Sequence, residues 1–525
     1  MSIADYKSSL HYLALQPGHS GLSFEDFLLY FCNKDIGKLD LAISETILRA
    51  SFYARLGSFY NNNGITCKDE FKLLTNRHVS VQKCQWLDMK MVTKVVVSSN
   101  GLNYLIDGET ELLFAQLLEH SPNLAEISFE CISSEMFGFI ATHCGSNLRI
   151  IEADNIEFSS VGALMPIFKA CPNLQVLRIS DESSFSVPGD GIILAAVQYC
   201  PRIEVLPTHI LRLSDVAMEA LATIHTLKEL KQARSSIYPI SIFERVLQSN
   251  PNLDTIGIRY QISNEILSCV GHHCRNLRSF SIRNLRLFRM GNEAFQTFLA
   301  GCPLLQEFKV ERPGRMSNTD LRALFQSCPN LTTLDLHIYT HTGAYDDIDS
   351  VLRISFLSLT KLVIFRGAAT TTALRDIFTY CTNIREVHLE DCAFITDEML
   401  KVLIQHSRKL EKLHLLACKK ITIAGLLEVA TDCSTLVFFN LLNMPISNEV
   451  FVRLSMYCIG LRGLWVESCY VTNDGVREEG ILDVVDKCKK LTSLRVMGVG
   501  LEMTHALEDL MRGGMYKHIR CDIRS

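Results

Sequence analysis

The chain nowhere runs for about 20 residues without a charge, the length a helix needs to cross a bilayer. Its most apolar stretch, 354–365, is interrupted by Lys361 and bounded by Arg353 and Arg366. The opening residues Met1-Ser2-Ile3-Ala4-Asp5-Tyr6-Lys7 lack the layout of a secretion signal. These absences lead to the expectation of a soluble protein of the cytoplasm or nucleus with no membrane partner. A bias of charge is missing too. With 52 basic and 57 acidic side chains the net charge is −5, which gives no footing for nucleic acid. There is no G-x-x-x-x-G-K-S/T phosphate loop, no G-x-S-x-G elbow and no H-E-x-x-H helix. No catalytic residue, cofactor or enzymatic activity is therefore expected.

What is present is repetition. Cys171-Pro172-Asn173-Leu174 recurs as Cys328-Pro329-Asn330-Leu331, with looser copies at Asn250-Pro251-Asn252-Leu253, Cys302-Pro303-Leu304-Leu305, Cys381-Thr382-Asn383-Ile384 and Cys488-Lys489-Lys490-Leu491. The aliphatic residue closing each copy defines fifteen anchors, from Leu124 to Leu491, spaced 24 to 30 residues apart. A period in the twenties with an L-x-x-L-x-L core is the signature of leucine-rich repeats.

Each unit carries two periodicities. Ten, seven and six residues before an anchor stand apolar triads such as Leu164/Ile167/Phe168, Phe295/Phe298/Leu299 and Leu400/Leu403/Ile404. That spacing puts each triad on one face of a helix. After the anchor, pairs such as Val387/Leu389 and Leu413/Leu415 alternate with polar residues, the period of a strand. One helix and one strand cannot bury their apolar faces alone, whereas stacked units share a core. The predicted fold class is α/β, a curved leucine-rich-repeat solenoid (horseshoe) with a small N-terminal all-α module. Its predicted segments are a flexible tail over 1–20, a helical module over 21–65, a linker and cap over 66–101, and the solenoid with its C-terminal cap over 102–525.

The 19 cysteines follow the repeat. Nine lie three residues before an anchor, and Cys131, Cys392, Cys418 and Cys469 close strand segments. A small, weakly polar thiol suits a tight buried corner, and no pair has zinc-finger spacing with partner histidines. Reduced, structural cysteines are expected.

The segment 389–400, Leu-Glu-Asp-Cys-Ala-Phe-Ile-Thr-Asp-Glu-Met-Leu, resembles the cysteine-containing leucine-rich repeat of F-box/LRR proteins, a ribonuclease-inhibitor-like type. So does Leu415-Leu416-Ala417-Cys418-Lys419-Lys420-Ile421-Thr422. In that pattern Thr396 or Asp397 would cap a helix N-terminus. The resemblance covers 102–525. Upstream, 22–31 and 35–42 are similar to the first helix and turn of an F-box, although the family's Leu-Pro start is Leu22-Ser23 here and its closing Val-Cys-x-x-Trp is absent. The resemblance implies docking to a Skp-type adaptor and a cullin scaffold through Leu22, Phe24, Leu28, Phe31, Ile36 and Leu39. The same helices also read as a cap over the open end of the first repeat.

Side chains two, four and six residues past each anchor point away from the core. Down the chain this column passes from acidic (Glu126, Glu152) through basic (Arg178, Lys231, Lys309) to apolar and aromatic: Phe365, His388, His414, Leu416, Phe438, Leu442, Trp465 and Met497. A cluster of large apolar groups on a solvent face marks a binding surface, so these eight form the predicted protein-binding patch. Mutual cover, or cover by the C-terminal tail, is the alternative. His388 and His414 fall at equivalent positions of adjacent repeats, so their rings are expected to stack. A metal there would need a third ligand, for which only Glu386 and Glu390 are near, and none is expected. The function implied by the resemblance is substrate recognition for a cullin–RING ubiquitin ligase. A free-standing scaffold or inhibitor that grips a protein on the same face stands beside it.

Overall fold

The computed structural model describes residues 65–67, 70–75, 94–99, 118, 123–130, 136–154, 164–180, 187–232, 239–259, 262–283, 293–311, 318–337, 358–365, 371–471, 475–499 and 519–524. Two compact units emerge, Met1–Ser159 and Ser160–Ser525. In the first, β1 (Ile65–Cys67) pairs antiparallel with β2 (Glu70–Thr75). From there β3 (Lys94–Ser99), β4 (Glu126–Glu130) and β5 (Ile150–Asp154) add in parallel. Helix α1 (Met136–His143) joins β4 to β5, burying Phe137 and Ile140.

The second unit repeats the helix–strand pair. Its strands are β6 (Val176–Ser180), β7 (Val187–Pro188), β8 (Leu211–Arg212), β9 (Glu229–Lys231), β10 (Thr255–Ile258), β11 (Ser279–Arg283), β12 (Glu307–Glu311) and β13 (Thr333–His337). There follow β14 (Lys361–Phe365), β15 (Glu386–Glu390), β16 (Lys412–Leu416), β17 (Phe438–Leu442), β18 (Pro445–Ile446), β19 (Gly463–Glu467), β20 (Tyr470–Val471), β21 (Ser493–Met497) and β22 (Arg520–Arg524). The long strands form one parallel sheet of twelve, in order β9 through β17, then β19, β21 and β22. Short strands pair as β7–β8 and β18–β20 on the return segments. Where the connections are described, as over Asp397–His406 between β15 and β16, they run through a helix, as parallel pairing requires.

The repeat dictates the core. All fifteen anchors are at most 2% exposed, from Leu124 through Leu227 to Leu491. Helix residues Phe295, Phe298 and Leu299 pack onto strand residues Phe280 and Phe308, with ring centroids 4.6 Å apart for Phe280–Phe298 and 6.3 Å for Phe295–Phe308. Helices therefore cover one face of the sheet, and the alternate side chains turn to the other.

Most corners between helix and strand in this unit are closed by a cysteine ladder. The carbonyl of Cys458 accepts the anchor N–H of Leu461 at 3.0 Å and the thiol of Cys488, one repeat on, at 3.6 Å. Cys200 onto Cys171, Cys302 onto Cys274 and Cys328 onto Cys302 make the same thiol contact at 3.4–3.8 Å. Burial pushes the thiols of Cys328, Cys381 and Cys433 up to about 12, so they stay protonated. Asn250 takes the cysteine's place in its repeat: its side chain donates to the Val246 carbonyl at 3.0 Å and accepts the Leu227 N–H at 3.1 Å.

The opposite corner is closed by a left-handed residue. Asp391, Ala417, Asn443, Ser468 and Gly498 have φ of 50, 52, 53, 49 and 62°. The N–H of each of the first four donates to the last carbonyl of the next strand, as from Ala417 to Leu442 at 2.7 Å. Cys392, Cys418 and Cys469 follow immediately, each thiol reaching a carbonyl of the preceding repeat at 3.5–3.6 Å.

The expected helix cap needs correction. Thr396 occupies the N-cap of the helix Asp397–His406 without a side-chain cap bond. The Asp397 carboxylate instead serves the next repeat, accepting the Thr422 N–H at 2.8 Å and the Thr422 hydroxyl at 2.6 Å. His273, at the end of its helix, reaches Glu244 of the preceding helix at 3.2 Å.

Candidate functional site

The face turned away from the helices carries three rows of side chains, set by parallel register. The middle row runs Val363, His388, His414, Asn440, Trp465, Arg495 and Asp522. One flanking row is Lys361, Glu386, Lys412, Phe438, Gly463 and Ser493; the other is Phe365, Glu390, Leu416, Leu442, Glu467 and Met497.

Four of the predicted patch residues join into a ribbon of rings. His388 stacks on His414 with centroids 5.1 Å apart and planes at 18°, as their equivalent positions imply. His414 stacks on Phe438 at 5.3 Å, and Phe438 meets Trp465 edge-on at 5.0 Å. Arg495 ends the ribbon, its guanidinium 4.7 Å from the Trp465 ring centroid. The step from the middle row to the flanking row at Phe438 has a local cause. Gly463, its cross-strand neighbour, has no side chain, and the Phe438 ring fills that space. The Trp465 indole N–H donates to the Ser493 hydroxyl at 2.9 Å, which fixes its plane.

The other four separate from this ribbon. Leu416 is only 9% exposed, so it is a covered residue and not an open contact, flanked in register by Glu390 and Leu442. Leu442 is half-buried beside it. Phe365 and Met497, also half-buried, are cut off from the leucine pair by Glu390 and Glu467. The adaptor-contact residues Leu22, Phe24, Leu28, Phe31, Ile36 and Leu39 lie outside the described residues.

Charge frames the ribbon. Glu386 sits between Lys361 at 2.5 Å and Lys412 at 3.2 Å. Burial pushes its carboxyl up, but hydrogen bonds and charge from the two lysines outweigh that and hold it below the usual carboxylate range. At the far end Arg495 meets Glu467 at 3.0 Å and Asp522 at 3.8 Å. Burial, then the neighbouring His388, lowers His414 to about 4, with Lys361 and Lys412 adding to the effect and Glu386 opposing it. His414 is therefore neutral near pH 7, and Asn440 Nδ2 lies 3.5 Å from its Nδ1. His388 Nε2 approaches Glu390 at 3.6 Å. Among the described residues no group of three or more His, Cys, Asp or Glu is placed to hold a metal. The ribbon is a row of ring faces within a frame of basic and acidic side chains.

Reading the apolar members alone missed Gly463, Asn440, Arg495 and the Lys361–Glu386–Lys412 triplet. Their signal was present: all occupy the same outward offsets from an anchor.

No family model matches the chain. It is 27% identical over 183 residues to F-box/LRR-repeat protein 4 of Bos taurus, covering 34% of this chain and 28% of that protein. It is 22% identical over 263 residues to F-box protein MAX2 of Arabidopsis thaliana, covering 48% and 36% respectively. Its repeats are similar to those of F-box/LRR-repeat proteins. The matches span about a third of the length of those two relatives. Among solved structures, the TLR13–ssRNA13 complex is 14% identical, with a TM-score of 0.40, covering 87% of this chain and 70% of that one.

Proposed function

We propose that the chain is a non-catalytic receptor acting in the cytoplasm or nucleus, the substrate-recognition subunit of an SCF-type cullin–RING ubiquitin ligase. The observation that carries the receptor part is the ribbon His388–His414–Phe438–Trp465–Arg495, half-exposed on the face opposite the helices. Ring faces that cost little entropy to hold and present large apolar area are the usual centre of binding energy at protein interfaces. The ligase part rests on the F-box/LRR type of the repeats and on the F-box-like segment from Leu22 to Leu39. Holding a target on the sheet and an adaptor on the F-box-like N-terminal segment would raise the target's effective concentration near a ubiquitin carrier. No bond chemistry is asked of this chain.

The test is co-purification of full-length chain with a Skp-type adaptor and cullin, beside a Leu28→Asp/Ile36→Asp variant. Adaptor bound to the wild type and lost from the variant supports the reading. Absence of adaptor from the wild type, or its retention by the variant, overturns it and leaves a free-standing binding scaffold.

A further inference from the structure

A second surface lies at the corner where the helix Asn448–Tyr457 turns toward β19. Met456, Tyr457 and Ile459 are 56, 44 and 62% exposed, three of the eight exposed large apolar side chains among the described residues. The corresponding corner positions of the neighbouring repeats are Thr431, Asp432 and Ser434 on one side and Asp486, Lys487 and Lys489 on the other. Earlier repeats carry Gln326, Ser327 and Pro329, or Gln405, His406 and Arg408, at the same places. The repeat does not demand apolar residues here: Leu454 and Cys458 fill the core and the corner, both at most 1% exposed. These three side chains are thus surplus to folding, and apolar groups clustered in water where the architecture asks for none mark a contact surface.

The charges beside the triad are unequal. Lys487 in the next repeat reaches back to the Ser455 hydroxyl at 3.5 Å, which places its ammonium against this helix, and Asp483 pairs with it at 2.8 Å. Lys489 and Lys490, exposed in the next corner, form no ion pair among the described residues. Arg462, also exposed, follows the triad within its own turn, where its carbonyl accepts the Thr492 N–H at 2.8 Å and so ties the two corners together. The side of the last repeats therefore carries Lys487, Lys489, Lys490 and Arg462 against Asp483 and Asp486, a cationic excess.

We infer that this corner docks a protein segment that presents two or more large apolar side chains beside carboxylates. The apolar residues would cover Met456, Tyr457 and Ile459, and the carboxylates would meet Lys489, Lys490 and Arg462. This docking does not depend on the ligase reading.

The experiment uses full-length chain as bait for a displayed library of random twelve-residue peptides, with counter-selection on Ile459→Asp. Enriched peptides are then labelled and titrated by fluorescence anisotropy. Expected are sequences pairing large apolar residues with Asp or Glu, binding weakened at least tenfold by Ile459→Asp and by Lys489→Glu/Lys490→Glu. Trp465→Ala should change it less than twofold. Because these variants alter exposed positions, their melting curves should superpose on the wild type. The inference is overturned by any of several results: no enrichment over the counter-selected bait, a consensus without carboxylates, or binding that survives both variants. It is likewise overturned if light scattering shows a dimer abolished by Ile459→Asp, or if the chain adsorbs to vesicles containing one-third phosphatidylserine through this corner.

Discussion

The ring of Phe438 lies in the space that a side chain on Gly463, its cross-strand neighbour, would fill. That vacancy lets the ring turn its face to His414 and its edge to Trp465. A methyl at Gly463 must displace the ring toward solvent. Gly463→Ala is expected to lower stability by about 1 kcal/mol, the low end of overpacking costs because the ring has somewhere to go. The near-UV circular dichroism of Trp465 should weaken with it. In a double-mutant cycle, Phe438→Ala should remove most of the cost of Gly463→Ala. Additive losses would show that the two positions do not share this space.

His414 gives the face a defined response to acid. Burial and its cationic neighbours lower its folded value to about 4, whereas an unfolded histidine titrates near about 6.5. Between these values the unfolded chain takes up a proton that the folded chain refuses. The stability contributed by neutral His414 is therefore complete above about pH 6.5 and is lost as pH falls toward 4. His414→Phe, which keeps a ring in the stack, should flatten the stability-against-pH curve across that window. An unchanged slope would remove His414 from the explanation. Partner binding through the ribbon should not vary with pH between 6.5 and 8 on account of this residue.

Much of this architecture was legible beforehand, and the reason is mechanical. In a stacked repeat each core residue meets its own counterpart one unit away, so periodicity along the chain is also contact in space. Leu305, Leu331 and Leu410 could be placed in the core from spacing alone, and His388 could be set against His414. What escaped was contact between non-equivalent positions. Asp397 bonds to Thr422 because stacking brings a neighbour's N–H within reach, and no local capping pattern encodes that. Leu416 is covered although its offset points outward, because register packs Leu442 beside it. Phe438 reaches the middle row only because glycine follows at 463. Where the chain breaks rhythm at Leu206-Pro207-Thr208, the Thr208 hydroxyl takes the Lys231 N–H at 3.0 Å. A side chain there does the work of a missing strand residue.

Ser407 stands in the cysteine place of its repeat, 2% exposed, and its hydroxyl has no hydrogen-bond partner among the described residues. A buried hydroxyl in that condition costs about 1–3 kcal/mol. Restoring the larger and less polar thiol, which elsewhere reaches the preceding repeat's carbonyl, should recover part of that. Ser407→Cys is expected to stabilise the chain by about 1 kcal/mol in chemical denaturation. A destabilised variant would mean that the serine is satisfied in solution.

Ala417 holds φ of 52°, in line with Asp391, Asn443, Ser468 and Gly498, and its N–H bonds to the Leu442 carbonyl at 2.7 Å. A left-handed backbone costs an L-residue with a Cβ about 1–2 kcal/mol, and asparagine or aspartate offsets part of this by local hydrogen bonding. Alanine has no such compensation, so its corner is the most strained of the five. Glycine adopts the angle freely but gives up about 0.5–1 kcal/mol in unfolded-state entropy. The difference favours Ala417→Gly by about 0.5–1 kcal/mol. Its melting temperature should rise, whereas Leu413→Gly, a core strand position in the same repeat, should fall sharply. Gly498, already glycine at φ of 62°, makes the reciprocal case: Gly498→Val should destabilise, since a β-branched side chain is least tolerant of that angle. A rise on Ala417→Gly without a fall on Gly498→Val would point to entropy elsewhere in the chain and away from corner strain.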